Sequence, residues 1–346
     1  MDLLKSALAA VLLVGCVPDL DSDESTVVQA RVLAIQAEPA EVTPNGINRT
    51  TYRALIADGN GVRADVPLSW FQCIAQKPLA ELGPVSRDCF STESGKLVEF
   101  GSGPEASGAL PSSACSLFGP NPPLAVGGEA PGRPVDADQT GGYKMPIVTA
   151  LQGEAGQNIE LYEQRIICGL VGVSREVSVA FATRYHANAN PFIAELRAVR
   201  AGGSLLLAPD QPLELAANEE VQLEVLWPTC PESDVCGDGL CGPDETAQAC
   251  AADCQPLRGC GGQERYLRYD RQESELVTER ESMRAAWYAT HGSYDFERTG
   301  AEPDPTIGGT GNTFRAPSSP VSGTLWVVLR DSRGGVTFRS QPFVVR

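Results

Sequence analysis

Histidine is nearly absent from this chain. Its 346 residues contain 2, His186 and His291, far apart and outside any H-E-x-x-H metal motif. The G-x-S-x-G turn of serine hydrolases and the Gly-x4-Gly-Lys phosphate cradle are missing as well. Gly-Gly-Thr-Gly-Asn at 308–312 reads as a flexible turn. Aromatic residues make up 6%, too few to line the subsites of a glycosidase, although 44 acidic residues always offer some carboxylate pair. Only 27 Lys and Arg offset those acids, and a net charge of −17 disfavours a nucleic-acid partner. No apolar run reaches the ~20 residues that cross a bilayer. An enzyme is therefore not expected, and a secreted-type hydrolase is the weakest alternative.

What is present is turn chemistry and cysteine. Gly (35) and Pro (26) are frequent and charged residues are 21%, a balance that favours turn-rich β structure; the length suits about two domains. There are 11 Cys. The first of them ends a distinctive stretch. Residues 1–15, MDLLKSALAAVLLVG, place a Lys before a short apolar run of signal-peptide length. The Leu13-Val14-Gly15-Cys16 that closes it resembles the bacterial lipobox. That resemblance implies cleavage before Cys16, a diacylglyceryl thioether on its sulfur, and stable membrane attachment through two or more acyl chains. Val17 stands where an Asp would resemble an inner-membrane retention signal, so the outer membrane of a Gram-negative bacterium is the expected address. Residues 16–27, rich in Asp and Ser, are expected to be a flexible acidic tether. With Cys16 lipidated, ten cysteines remain: Cys73, Cys89, Cys115, Cys168, Cys230, Cys236, Cys241, Cys250, Cys254 and Cys260. An even number outside the cytosol reads as five disulfides.

Alternating apolar residues predict strands at 29–38, 49–58 and 66–74, the last carrying Trp70. That order, with turns at EVTPNG and GNG, resembles the opening of an immunoglobulin-like or PKD-like sandwich, in which Trp70 would be the core tryptophan. A first domain is expected over 28–187. Residues 101–142, dominated by Gly, Pro, Ser and Ala, read as a long loop. Strands are expected at 144–151, 164–171 and 175–183, with a short helix at 154–163. A second domain is expected over 190–346, with strands that include 192–199, 220–227, 284–291, 323–331 and 336–345. Its WYATHGSYD and GTLWVVLRDSRGG phrases resemble PKD-like domains. The expected fold class is all-β: two tandem immunoglobulin-like β-sandwiches, the second interrupted by a cysteine-rich insert at 230–262. As a whole the chain resembles predicted surface lipoproteins of myxobacteria built from such domains, a class that implies location and fold and has no defined activity to transfer.

The insert reads CGDGLCGPDETAQACAADC over 236–254. It resembles short bacterial CGDGxC repeats, which implies interleaved bridges Cys236–Cys250 and Cys241–Cys254, with Cys230 and Cys260 closing the neck. Residues 234–245 also align with the twelve-residue EF-hand loop. Asp234 takes position 1, Asp238 position 5, Gly239 the sharp turn, the Leu240 carbonyl position 7 and Glu245 position 12, with Asp253 or Asp244 completing the shell. Hard Ca²⁺ needs such oxygens. Cys236 at position 3 and Gly242 at position 9 offer none, so this is a degenerate calcium loop or a set of turns in a disulfide knot. The expected function is a non-catalytic, membrane-anchored binding or adhesion module for an envelope protein or surface ligand. The alternative is a structural subunit of an envelope assembly.

Overall fold

The computed structural model describes residues 24–76, 85–120, 140–153, 156–232, 235–254 and 259–346. The leader, Cys16, most of the tether, Asp234 and much of the 101–142 segment lie outside the described residues. Among those described, no helix is long and apolar enough to cross a membrane.

Period-2 alternation builds the first sandwich. Its elements run β1 (Arg31–Glu38), β2 (Glu41–Val42), β3 (Arg49–Asp58), β4 (Gly61–Val62), β5 (Leu68–Cys73), β6 (Leu97–Ser102), β7 (Glu105–Ala109), α1 (Ala114–Phe118), β8 (Gly142–Gly153) and β9 (Gly156–Ile167), with α2 (Arg175–Arg184) following. One sheet is β1-β3-β4 with β7 also on β3; the other is β2-β9-β8-β5-β6. Ile35, Tyr52, Ile56, Trp70, Met145 and Ile147 meet between them. Trp70 is fully buried and its indole donates to the Gly103 carbonyl at 2.7 Å.

The second sandwich repeats the plan with β10 (Glu195–Arg200), β11 (Gly203–Leu206), β12 (Leu213–Leu215), β13 (Glu220–Leu226), α3 (Ala251–Cys254), β14 (Arg265–Asp270), β15 (Glu275–Arg280), β16 (Met283–Ala289), β17 (Ser293–Tyr294), β18 (Arg298–Ala301), β19 (Gly309–Arg315), β20 (Val321–Asp331) and β21 (Val336–Val345). Its sheets are β11-β10-β13-β19-β17 and β12-β21-β20-β16-β18, while β14 and β15 form a separate hairpin. Trp227, Trp287, Phe314 and Phe343 anchor the core. The chain is an all-β protein of two immunoglobulin-like sandwiches with a disulfide-rich insert in the second. A third apolar cluster joins them: Val27, Leu33 and Leu55 from the first half pack on Ala286, Trp326 and Val328 of the second.

Five local expectations give way. Residues 24–27 are not free tether. Val27 is fully buried, its N–H donates to the Ala289 carbonyl at 2.8 Å, and Ala289 N–H returns to Ser25. Where a helix is expected at 154–163, the described residues from Gly156 onward form strand β9, because Ile159 and Leu161 alternate onto the cluster around Val148 while β9 pairs with β8 along its length. The strand expected at 175–183 is α2. Ser174 caps it, its hydroxyl accepting from Val177 N–H at 3.2 Å, and Glu176 favours the first turn. The 101–142 stretch contains β7, pairing with β3, and α1. Finally, Gly309 to Asn312 of the GGTGN stretch open β19. A Cβ at Gly309 would run into Leu226, so glycine there permits close approach of β13.

Candidate functional site

The insert is a small disulfide knot. Cys236–Cys250 and Cys241–Cys254 interleave over separations of 14 and 13 residues, and Cys230–Cys260 closes the loop over 30. Cys73–Cys89 and Cys115–Cys168 brace the first sandwich. Inside the knot, Asp253 is buried and spans the 236–240 turn. One carboxylate oxygen accepts from Gly237 N–H at 2.5 Å and the other from Gly239 N–H at 3.0 Å. Both glycines hold positive φ (102° and 88°), which aims these N–H groups inward. Asp238 Oδ1 accepts from Leu240 N–H at 2.9 Å, and Glu245 Oε2 from Gly242 N–H at 3.0 Å. Glu245 Oε1 is buried with no hydrogen-bond partner among the described residues. Glu245 and Asp253 carboxylates come together with the sulfurs of Cys236 and Cys250, which are bonded to each other; Asp238 does not join that group.

The knot is bolted down by the end of α2, a part of the first half of the chain. His186 Nε2 lies 2.9 Å from the Gly242 carbonyl and 3.1 Å from that of Glu245. Arg184 donates to the Pro243 carbonyl at 3.2 Å and to Asp244 at 2.5 Å. Asp244 is therefore ion-paired. The cavity beneath the knot, beside Asp238, Leu240 and Glu264, holds about 50 Å³, room for water and not for an organic ligand.

Next to the knot lies a buried ionic clamp that sequence reading misses altogether. Glu41 of β2 is 1% exposed. Its Oε1 accepts from Arg165 Nε at 3.0 Å and the Tyr185 hydroxyl at 2.8 Å; its Oε2 accepts from Asn188 N–H at 2.8 Å and Arg333 Nη2 at 3.0 Å. Arg333 comes from the Asp-Ser-Arg-Gly-Gly turn between β20 and β21. It also donates to the His186 carbonyl and to the Tyr185 hydroxyl, both at 2.9 Å, approaches Glu281 at 3.5 Å, and lies over the Tyr185 and Tyr266 rings. Asp331 accepts from the Asn188 side chain and from the N–H groups of Arg333 and Gly335. Here the hand-off between sandwiches is polar and buried, with Asn188 Oδ1 and Arg333 Nε left without a hydrogen-bond partner among the described residues.

Four carboxylates (Glu41, Glu264, Glu281, Asp331) share this region with Arg165 and Arg333, and the imbalance shows in the acidities of Glu264, Glu281 and Asp331. Burial pushes Glu264 up to about 7. Burial, then repulsion from Asp331 and Glu264, raises Glu281 well above the carboxylate range, and burial also raises Asp331. Burial works against the Arg333 charge, yet Tyr185, Glu41 and Glu281 outweigh it and hold its pKa above the ordinary value. No single motif marked these residues; the one signal was the DSRGG turn itself.

No family model matches the chain, and no curated protein matches it. Solved structures with detectable similarity include the D0-D1 domain of intimin (9% identity over 90% of this chain and 98% of that one, TM-score 0.19). Others are the fibronectin(III)-like modules of Clostridium thermocellum CbhA (9%, 90% and 94%, TM-score 0.18) and the Yersinia pseudotuberculosis adhesin InvE (10%, 90% and 58%, TM-score 0.18). At such TM-scores these likenesses carry no argument about function.

Proposed function

We propose that this chain is exported, cut before Cys16 and held by lipid to the outer membrane, where it serves as a non-catalytic binding module. The observation that carries the reading is the cysteine pattern. Five bridges take up every cysteine except Cys16. Bridges at this density belong to oxidising compartments, and the remaining cysteine is the one in the lipobox-like sequence. The two histidines support a non-catalytic role: His186 is spent on knot carbonyls, and His291 Nδ1 lies 3.1 Å from the Thr290 hydroxyl. Two sandwiches clamped to each other, with the knot docked on the end of α2, form a base that offers its exposed faces and loops to an envelope protein or surface ligand.

The test is fractionation of cells making the full chain with its own leader. Wild-type protein is expected in the membrane fraction, labelled by radioactive palmitate. Cys16→Ser is expected to be unlabelled and soluble. Tight membrane attachment of Cys16→Ser would overturn the anchor.

Calcium at the knot is a second reading, favoured by one observation: buried Glu245 Oε1 lacks a partner and stands beside Asp253. The fit is partial, since both Asp253 oxygens already accept backbone N–H groups and calcium takes 6–8 oxygens. Glu245, Asp253 and backbone carbonyls would hold the ion. Calcium at millimolar concentration should then raise the unfolding temperature of the wild type and leave Glu245→Gln unchanged; equal temperatures with calcium and with chelator in the wild type dismiss the ion.

A further inference from the structure

The face of the second sandwich that β16, β18 and β20 turn away from their core, part of which receives the first half of the chain, carries three arginines that find no counter-charge among the described residues. Along β16, Met283, Ala285 and Trp287 fill the core, so Arg284, Ala286 and Tyr288 point the other way. The strand register sets Arg284 opposite Arg330 of β20 and Ala286 opposite Arg298 of β18. Three guanidinium groups therefore stand on one face of three adjacent strands. Arg284 and Arg330 are a directly opposed like-charge pair, an arrangement that destabilises a sheet. Ala286 and Gly300, the residue across from Arg284 on β18, leave the space between them almost free of side-chain bulk. A cavity of about 500 Å³ opens there.

Nothing in the surroundings consumes these charges. Arg284 and Arg298 make no hydrogen bond or ion pair among the described residues. Arg330 reaches only the Leu33 carbonyl, at 3.4 Å, and the Tyr288 hydroxyl. Burial, with Arg298 adding to it, holds the Arg330 pKa below its ordinary value. The one carboxylate lining the cavity, Asp331, is already engaged by Asn188, Arg333 N–H and Gly335 N–H. Ser282 and Ser332 line the same space.

We propose that this cavity binds a small polyanion, one carrying at least two negative charges on phosphate, sulfate or carboxylate groups. Guanidinium forks match such oxyanions bidentately and are less strongly hydrated than ammonium groups. The Tyr288 and serine hydroxyls add neutral donors, and the volume falls in the range of small-molecule sites, about 300–1,000 Å³. A net charge of −17 gives the protein no general attraction for anions, so a cluster of this sign is a local device. The proposal stands whether or not the chain is lipid-anchored, and its failure leaves the Cys16 test untouched.

Calorimetric titration of the full mature chain with pyrophosphate, and separately with a disaccharide bearing two sulfates, tests it. Saturable binding of at least one probe is expected, weakened tenfold or more by Arg284→Gln and by Arg298→Gln and weakened by added salt; the probe that binds identifies the oxyanion. No saturable binding of either probe, or binding unchanged in both variants, overturns the proposal. Unfolding without ligand gives a second readout. Both variants should unfold at or above the wild-type temperature, because repulsion is relieved. A drop in both would make the arginines structural and overturn the site.

Discussion

Glu264 shows how burial makes a side chain sensitive to pH. Its pKa, pushed up to about 7 by burial, lies above its unfolded value near 4.5. The folded chain therefore holds more protons than the unfolded chain between those two values. Stability from this group is complete below the unfolded pKa and is lost as pH rises through 7. Glu281, raised in the same direction, adds to the slope. Unfolding temperatures measured from pH 4.5 to 8 should fall toward the alkaline end, and Glu264→Gln should flatten the profile; a profile that rises with pH contradicts the protonation pattern. Arg333 is the cation these carboxylates share. Arg333→Ala leaves Glu281 without its buried cation and Glu41 with Arg165 alone, and should cost about 3–5 kcal/mol in denaturant unfolding. Neither residue could be read as important from the sequence. Glu41 and Arg333 are 292 positions apart, and only the packing of two sandwiches makes them neighbours.

At the scale of elements, legibility followed the range of the forces involved. Strands with period-2 alternation over most of their length, such as β5 and the first half of β3, declared themselves because each needs only its own apolar face to be recognised. The ambiguous stretches were decided by capping or pairing. Arg-Glu-Val-Ser-Val-Ala-Phe alternates like a strand, yet the Ser174 cap starts it as α2, which buries only Phe181. Ser174→Ala should cost about 1 kcal/mol of stability. Because Arg184 and His186 hang from this helix, the same change should speed hydrogen exchange in the knot at 242–245; unchanged exchange there would mean that α2 does not hold the knot in place. The knot could be noticed along the chain because its cysteine spacing is local. Its docking onto α2 could not. Likewise the sequence flagged Asp238, Glu245 and Asp253 by residue type, whereas the turn geometry that occupies Asp253 with backbone N–H groups appears only in three dimensions.

The whole molecule is two sandwiches fixed by two unlike contacts, the apolar cluster around Trp326 and the ionic clamp around Arg333. Fold class was open to sequence reading since composition, turn residues and strand periodicity all pointed one way. The chain's partners were not, because an arginine face such as that of Arg284, Arg298 and Arg330 depends on strand register. The central claim joins the cysteines to the address: ten lie in bridges, and the eleventh, Cys16, is the one proposed to carry lipid. Its most direct test is mass spectrometry of the mature protein from membranes, alkylated before and after reduction. The account predicts a chain beginning at Cys16 with a diacylglyceryl mass, no alkylation before reduction, and ten alkylated cysteines after it. Eleven alkylated cysteines, or a mature chain that starts elsewhere, would contradict it.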